Sequence, residues 1–367
     1  MKELNVNRRD FLRLTGLASV GVLASACGTA AIPEATEGAA AEGAAAAPAA
    51  ASADASGLAE VARDKTMVFM FGGNGTQFTD VGIANPYATG YTHQMLNNTV
   101  SEGLYYYSAF TDEYLPWMAS GYEYNDDFTE LIINIREGVE WSDGTPFTAN
   151  DVAFTFQMLM DNAPLLANSQ VVKESVKEVS AVDDLTVQII FNDPRPRFFF
   201  SYVCFKFDTG IKIIPEHIYK DVEDFTAYFD YDLEGGLPVQ TGPYKIVSWT
   251  TSQKFMDRRD DWWGAKIGFA KLPEPERLIV IPYSDDTRML QLVVNDEVDS
   301  CLDLRATTIP QAVAGNPNVI THTGREAPYG YVDWWPTSMW FNHEEGPFTS
   351  KEMRWAVSYS INREQML

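Results

Sequence analysis

Cysteine and histidine are scarce in this chain. Of its 367 residues only three are cysteine (Cys27, Cys204 and Cys301) and four are histidine. Three cysteines are too few for a disulfide-built scaffold, so the fold has to rest on an apolar core. Cys204 and Cys301 leave two readings open, a disulfide or two buried thiols. The histidines, His93, His217, His322 and His343, include no pair at metal-ligand spacing. Basic residues are short as well: 27 Lys and Arg stand against 51 Asp and Glu, a net charge of −24. Such a surface repels polyanions, so no nucleic acid is expected as a partner. There is no G-x-S-x-G nucleophile elbow. Gly72-Gly73-Asn74-Gly75 falls short of a G-x-G-x-x-G loop and carries no Lys-Ser/Thr pair. Paired carboxylates such as Asp126-Asp127 and Asp260-Asp261 sit among turn residues, where solvated surface is the default. No residue is marked as catalytic, and neither a metal nor a cofactor is expected.

What is present is apolar and aromatic. Hydrophobic residues make up 46% of the chain and aromatic residues 13%. That is ample for a packed core and excludes global disorder. At about 100–200 residues per domain, the length allows about two domains.

The N-terminus reads as an address. Asn7-Arg8-Arg9-Asp10-Phe11-Leu12-Arg13 precedes an uncharged, mostly apolar run from Leu14 to Ala26. A charged segment followed by an apolar one too short to span a bilayer is a signal peptide. The arginine pair followed by Phe11 and Leu12 resembles a twin-arginine export signal. The run ends in Leu23-Ala24-Ser25-Ala26-Cys27, which resembles a bacterial lipobox and makes Cys27 the candidate lipidation site, so residues 1–27 would be a lipoprotein signal. Residues 28–64 follow as a linker. Gly28 to Ala62 is rich in Ala, Gly and Pro, contains no Lys or Arg, and cannot bury enough apolar surface to fold. As a flexible tether it would reach about 30–35 Å.

From Lys65 the pattern changes. Thr66–Phe71 is an apolar run of strand length that stops at glycines. Leu131–Arg136, Val187–Phe191, Tyr244–Trp249, Leu278–Ile281 and Met339–Phe341 also read as extended. Thr148-Ala149-Asn150-Asp151 is a capping-box start. Val152, Phe156, Leu159 and Met160 then recur on one helical face. Ser350 onward begins a further helix, on which Met353, Val357, Ile361 and Leu367 form an apolar row without a partner layer. The mix is α/β or α+β.

Several segments, taken in order, resemble one family. They are Glu102-Gly103-Leu104-Tyr105, Pro116-Trp117-Met118-Ala119, and the stretch from Tyr122 through Trp141-Ser142-Asp143-Gly144-Thr145-Pro146 to Val152. Thr241-Gly242-Pro243-Tyr244-Lys245, Arg259-Asp260-Asp261-Trp262-Trp263, Phe341-Asn342, Pro347-Phe348, Arg354-Trp355-Ala356 and Ile361-Asn362-Arg363 follow. Their order and spacing are similar to those of the bacterial extracellular solute-binding proteins of family 5, which serve dipeptide, oligopeptide, nickel and certain oligosaccharide importers. Two positions depart from the family: Asp296 stands where glycine is usual, and Asn362 where aspartate is usual. A turn that needs φ > 0 still accepts Asp, at some cost.

The resemblance implies an α/β fold with two lobes, of the periplasmic-binding-protein type II, cluster C-like kind. Residues 65–103 and 217–338 would form a discontinuous first lobe, and 104–216 a subdomain inserted in it. Residues 339–367 would be a crossing strand and the start of the second lobe, most of which would lie beyond Leu367. The implied function is an extracytoplasmic receptor for peptides or oligosaccharides, partnered by an ABC permease and held to the outer face of the cytoplasmic membrane by its lipid. The competing class is an exported hydrolase acting on the same solutes. Tyr329, Tyr331, Trp334 and Trp335 cluster just before the expected crossing strand. They read either as core or hinge packing or as a stacking wall for ligand. Gly73 and Asn74, in the turn after the first strand, read either as a plain turn or as backbone exposed to ligand.

Overall fold

The computed structural model describes residues 57–72, 76–92, 96–206, 209–302, 304–330 and 338–362. In chain order the elements are β1 (Thr66–Met70), β2 (Tyr105–Ser108), β3 (Glu113–Pro116), β4 (Ala119–Tyr124), β5 (Glu130–Ile135), α1 (Ala149–Asp161), α2 (Ser169–Ser175), β6 (Val176–Asp183), β7 (Thr186–Phe191) and β8 (Cys204–Phe205). They continue with α3 (Glu216–Tyr219), β9 (Tyr244–Trp249), β10 (Lys254–Arg258), α4 (Trp263–Lys266), β11 (Arg277–Ile281), α5 (Asp286–Val294), β12 (Ser300–Cys301), α6 (Ile309–Gly315) and α7 (Lys351–Ser360).

β1 explains why its apolar run is unbroken. It lies inside a five-stranded sheet of order β12-β1-β11-β10-β9 and pairs in parallel with both neighbours. Val68 and Met70 point to a cluster with Met289, Leu292 and Val293 of α5 and Ala312 of α6. Met67 and Phe69 point the other way, to Tyr244, Ile246, Met256 and Val280. A strand covered on both faces needs apolar side chains at every position. The run is half-buried up to Met70 rather than buried throughout.

The second sheet, β4-β5-β7-β6, is antiparallel. Here burial alternates: Leu131, Ile133 and Ile135 of β5, and Val187, Ile189 and Phe191 of β7, face the largest core. The helix α1 packs on that face. Val152, Phe156, Leu159 and Met160 are all buried, as their spacing predicts. The predicted capping box is present. The Thr148 side chain accepts from Asn150 N at 3.2 Å, and Asp151 Oδ2 accepts from Thr148 N at 2.8 Å. A short sheet, β3-β2-β8, completes the set.

Two sequence expectations change. Met339–Phe341 is not a strand among the described residues, and Met339 and Trp340 are exposed. Apolar residues without a neighbouring backbone to bond make no ladder. The helix α7 begins at the predicted Ser350 cap, whose hydroxyl accepts from Met353 N, but it ends at Ser360. Ile361 is extended and so off the helix, and Leu367 lies outside the described residues. The Ser360 hydroxyl donates to Val357 O at 2.8 Å and closes the last turn. Asp296 adopts φ 56°, the left-handed turn geometry expected of it. Its carboxylate accepts from Asn316 Nδ2 at 2.6 Å. Cys204 is buried on β8 and Cys301 lies on β12 of a different sheet, and the two are not bonded to each other. Among the described residues, no helix is long and apolar enough to cross a membrane.

Candidate functional site

Segments far apart in sequence meet around one carboxylate. Glu102 is 4% exposed. Its Oε1 accepts from the Trp117 indole at 2.8 Å, and its Oε2 from the Trp263 and Trp262 indoles at 2.7 and 3.3 Å. Its backbone N–H donates to Thr241 Oγ1 at 3.0 Å. Arg259, itself buried, donates to Gly242 O at 2.9 Å and pairs with Asp261 at 3.4 Å. Burial raises the Glu102 pKa from 4.5 to about 7, against the pull of the three indole donors and the Arg259 charge. Gly242 has no room for a Cβ, which would run into the backbone carbonyl of Thr99. Both carboxylate oxygens are taken by indoles and the group is sealed. It therefore holds the two large sheets' flanking segments together and has no access to a reacting molecule.

A second buried group is one the sequence did not announce. Lys254 of β10 is fully buried; it donates to Asn97 Oδ1 at 2.6 Å, and its ammonium stands 4.3 Å from the Trp249 ring centre. Burial lowers its pKa to about 7, with Asp80 opposing. In sequence, a lysine after Thr251-Ser252-Gln253 carries no sign of burial. Only the packing of the 97–99 turn over β10 shows otherwise. The carboxylate pairs behave as expected. Asp260 and Asp261 are surface partners of Arg258 and Arg259, and Asp127 accepts from Thr129 in the β4–β5 turn. His217 Nε2 meets Asp143 Oδ2 at 2.8 Å. Among the described residues, no three His, Cys, Asp or Glu side chains group as metal ligands.

The candidate place for a ligand is the rim at the carboxyl ends of the parallel strands β1, β11 and β12, since open α/β sheets bind at such ends. Backbone pairing continues past the strands there: Phe71 N donates to Ile281 O at 3.1 Å, and Tyr283 N to Gly72 O at 2.9 Å. The Phe71 and Tyr283 rings meet edge to face, centroids 6.4 Å apart, and both are half-buried. The helix α5 starts on this rim. Its Asp285 cap accepts from Thr287 N and Arg288 N, each at 3.1 Å. Of the site residues read from the sequence, Gly73 and Asn74 follow directly on Gly72 but lie outside the described residues, as do Tyr331, Trp334, Trp335 and Cys27. Tyr329 is described. It is half-buried and donates to Arg325 O at 3.2 Å. Arg325 in turn donates to Val313 O at 2.7 Å and Pro317 O at 2.8 Å, which ties this segment to the end of α6. The aromatic rim pair Phe71 and Tyr283 was missed. Its only sequence signal is position: Phe71 closes the first apolar run, one residue past the strand β1, and Tyr283 stands two residues past β11.

The profile for the middle region of the bacterial extracellular solute-binding proteins, family 5, matches residues 113–367. The chain belongs to this family. Protein XP55 of Streptomyces lividans is 33% identical over 143 residues, 38% of this chain and 24% of that protein. The peptidoglycan-binding protein YepA of Agrobacterium fabrum is 26% identical over 262 residues, 67% of this chain and 40% of that protein. Among solved structures, the mannohexaose-bound periplasmic oligopeptide-binding protein of Thermotoga maritima shares the fold, with TM-score 0.66 and 24% identity, over 83% of this chain and 53% of that one. The chain thus spans about half the length of that solved relative, and less of the other two. The α/β periplasmic-binding-protein fold implied by the motifs is the fold observed.

Proposed function

We propose that this family 5 protein is the ligand-capturing receptor of an ABC importer, taking peptides or oligosaccharides and handing them to the permease. The observation that carries the reading is the rim of parallel strand ends, lined by Phe71 and Tyr283, in a chain whose family is extracellular and solute-binding. Gly73, Asn74, Tyr329, Tyr331, Trp334 and Trp335 complete the site, with aromatic faces for stacking and backbone groups for hydrogen bonds. Residues 65–103 and 217–338 act as one lobe: β1 pairs with β11 and β12 across some two hundred residues of intervening chain, while β2 to β8 build the other sheets. Residues 104–216 are the insertion and 339–367 lead to the second lobe. Export is by the twin-arginine-like signal, and Cys27 carries the lipid anchor.

The test is a thermal-shift screen of the protein with di- and oligopeptides against xylo- and cello-oligosaccharides. One class should raise Tm with dose, since a ligand that binds only the native state stabilises by mass action. Mass spectrometry should then recover that ligand chemically unchanged. No shift with either class would sink the receptor reading, and time-dependent cleavage would favour a hydrolase.

A further inference from the structure

Away from the strand rim there is a second concave feature. A cavity of about 410 Å³ lies where the loop through residues 86–91 meets the chain around 165–168, 201 and 209–212. It is at the small end of the roughly 300–1,000 Å³ typical of small-molecule sites. One wall is rigid. The Asn85 side chain, fully buried, donates to Phe225 O at 2.9 Å and Tyr228 O at 2.7 Å and accepts from Tyr87 N at 2.9 Å. Tyr87, 6% exposed, donates to Lys212 O at 2.6 Å, and Thr89 N donates to Thr226 O at 2.9 Å. The ring-bearing Tyr87 and Tyr91 therefore line a preformed surface.

The lining chemistry is selective. Among the described residues no carboxylate lines the cavity, although the chain carries a net charge of −24. Lys212, the one lining cation among the described residues, donates from its ammonium to Asn98 Oδ1 at 3.0 Å. In contrast, the side-chain hydrogen-bonding groups of Thr89, Asn168 and Ser201 have no partner among the described residues. Hydroxyls, an amide and tyrosine rings together match a polyol, which offers donors and acceptors to the first two and ring faces to the last. We propose that this cavity is a second binding site, separate from the strand-rim cleft, and that it takes a neutral sugar of one or two rings.

The probes are D-glucose, D-mannose, maltose and cellobiose, titrated calorimetrically into the whole protein. At least one should bind saturably, with amide-exchange protection in residues 86–91 and 165–168. Ala167 is an exposed lining residue, so Ala167→Trp fills the mouth without entering a core. It should weaken binding by at least about tenfold. Asn168 has φ 63°, a backbone that glycine adopts freely. Asn168→Gly should therefore keep the fold, checked by an unchanged Tm, and weaken binding severalfold by removing the amide. Neither change should alter the response to the peptide or oligosaccharide that occupies the strand-rim cleft. Absence of binding by all four sugars overturns the proposal. So does binding that both variants leave intact, because the sugar would then sit elsewhere.

Discussion

Glu102 shows how much one residue can carry. Its carboxyl takes three indole N–H donors from Trp117, Trp262 and Trp263, yet burial still raises its pKa from 4.5 to about 7. The folded protein therefore holds a proton that the unfolded chain releases between those values. By linkage, the Glu102 contribution to stability is full below pH 4.5 and is lost as pH rises through about 7. Lys254 has the opposite sign. Its pKa is lowered from 10.5 to about 7, so its contribution is full above 10.5 and is lost as pH falls through about 7. Glu102→Gln removes the first slope. It also points an amide N–H₂ at one indole donor or the other. We expect a loss of about 1–3 kcal/mol at acid pH, shrinking as pH rises through about 7. Urea midpoints of both proteins across that range measure it, and a pH-independent difference would show that Glu102 does not titrate there. The motifs around Glu102 were legible as a set of spaced words in the sequence. That they converge on one buried carboxylate was not, because sequence spacing carries no distance between Trp117 and Trp263.

At the scale of elements, local signals were enough for α1 and β5. The Thr148–Asp151 box and the Val152, Phe156, Leu159 and Met160 spacing gave both the start and the buried face. Thr148→Ala should cost about 1 kcal/mol, the usual loss for a helix N-cap. The measurement is chemical denaturation, and a change near zero would mean that packing alone holds the first turn. Met339–Phe341 and the end of α7 came out differently from their patterns. A strand depends on a partner backbone, and a helix terminus on which carbonyls find donors, and neither is written in hydrophobic spacing. The four-residue α3 and α4 were likewise invisible, being too short to show periodicity.

For the whole molecule, the N-terminal reading yields a direct test. If Cys27 carries lipid as proposed, Cys27→Ala should shift the protein from the membrane to the soluble fraction while its Tm stays constant. Equal membrane retention of both forms would remove the lipid anchor from the account. A stable anchor needs more than one acyl chain, so partial retention in the wild type would point to incomplete modification. The sequence by itself determined the family, the helix α1 and the main strands, because each of these is a local pattern or an ordered set of local patterns. Only the tertiary structure decided that β1 is covered on both faces, that Lys254 is buried, that Phe71 and Tyr283 share a rim, and that polar groups from distant segments line a second cavity. The physical reason is that burial and juxtaposition arise when residues some two hundred positions apart pack together. The free energy of that packing belongs to the pairs and not to either residue alone.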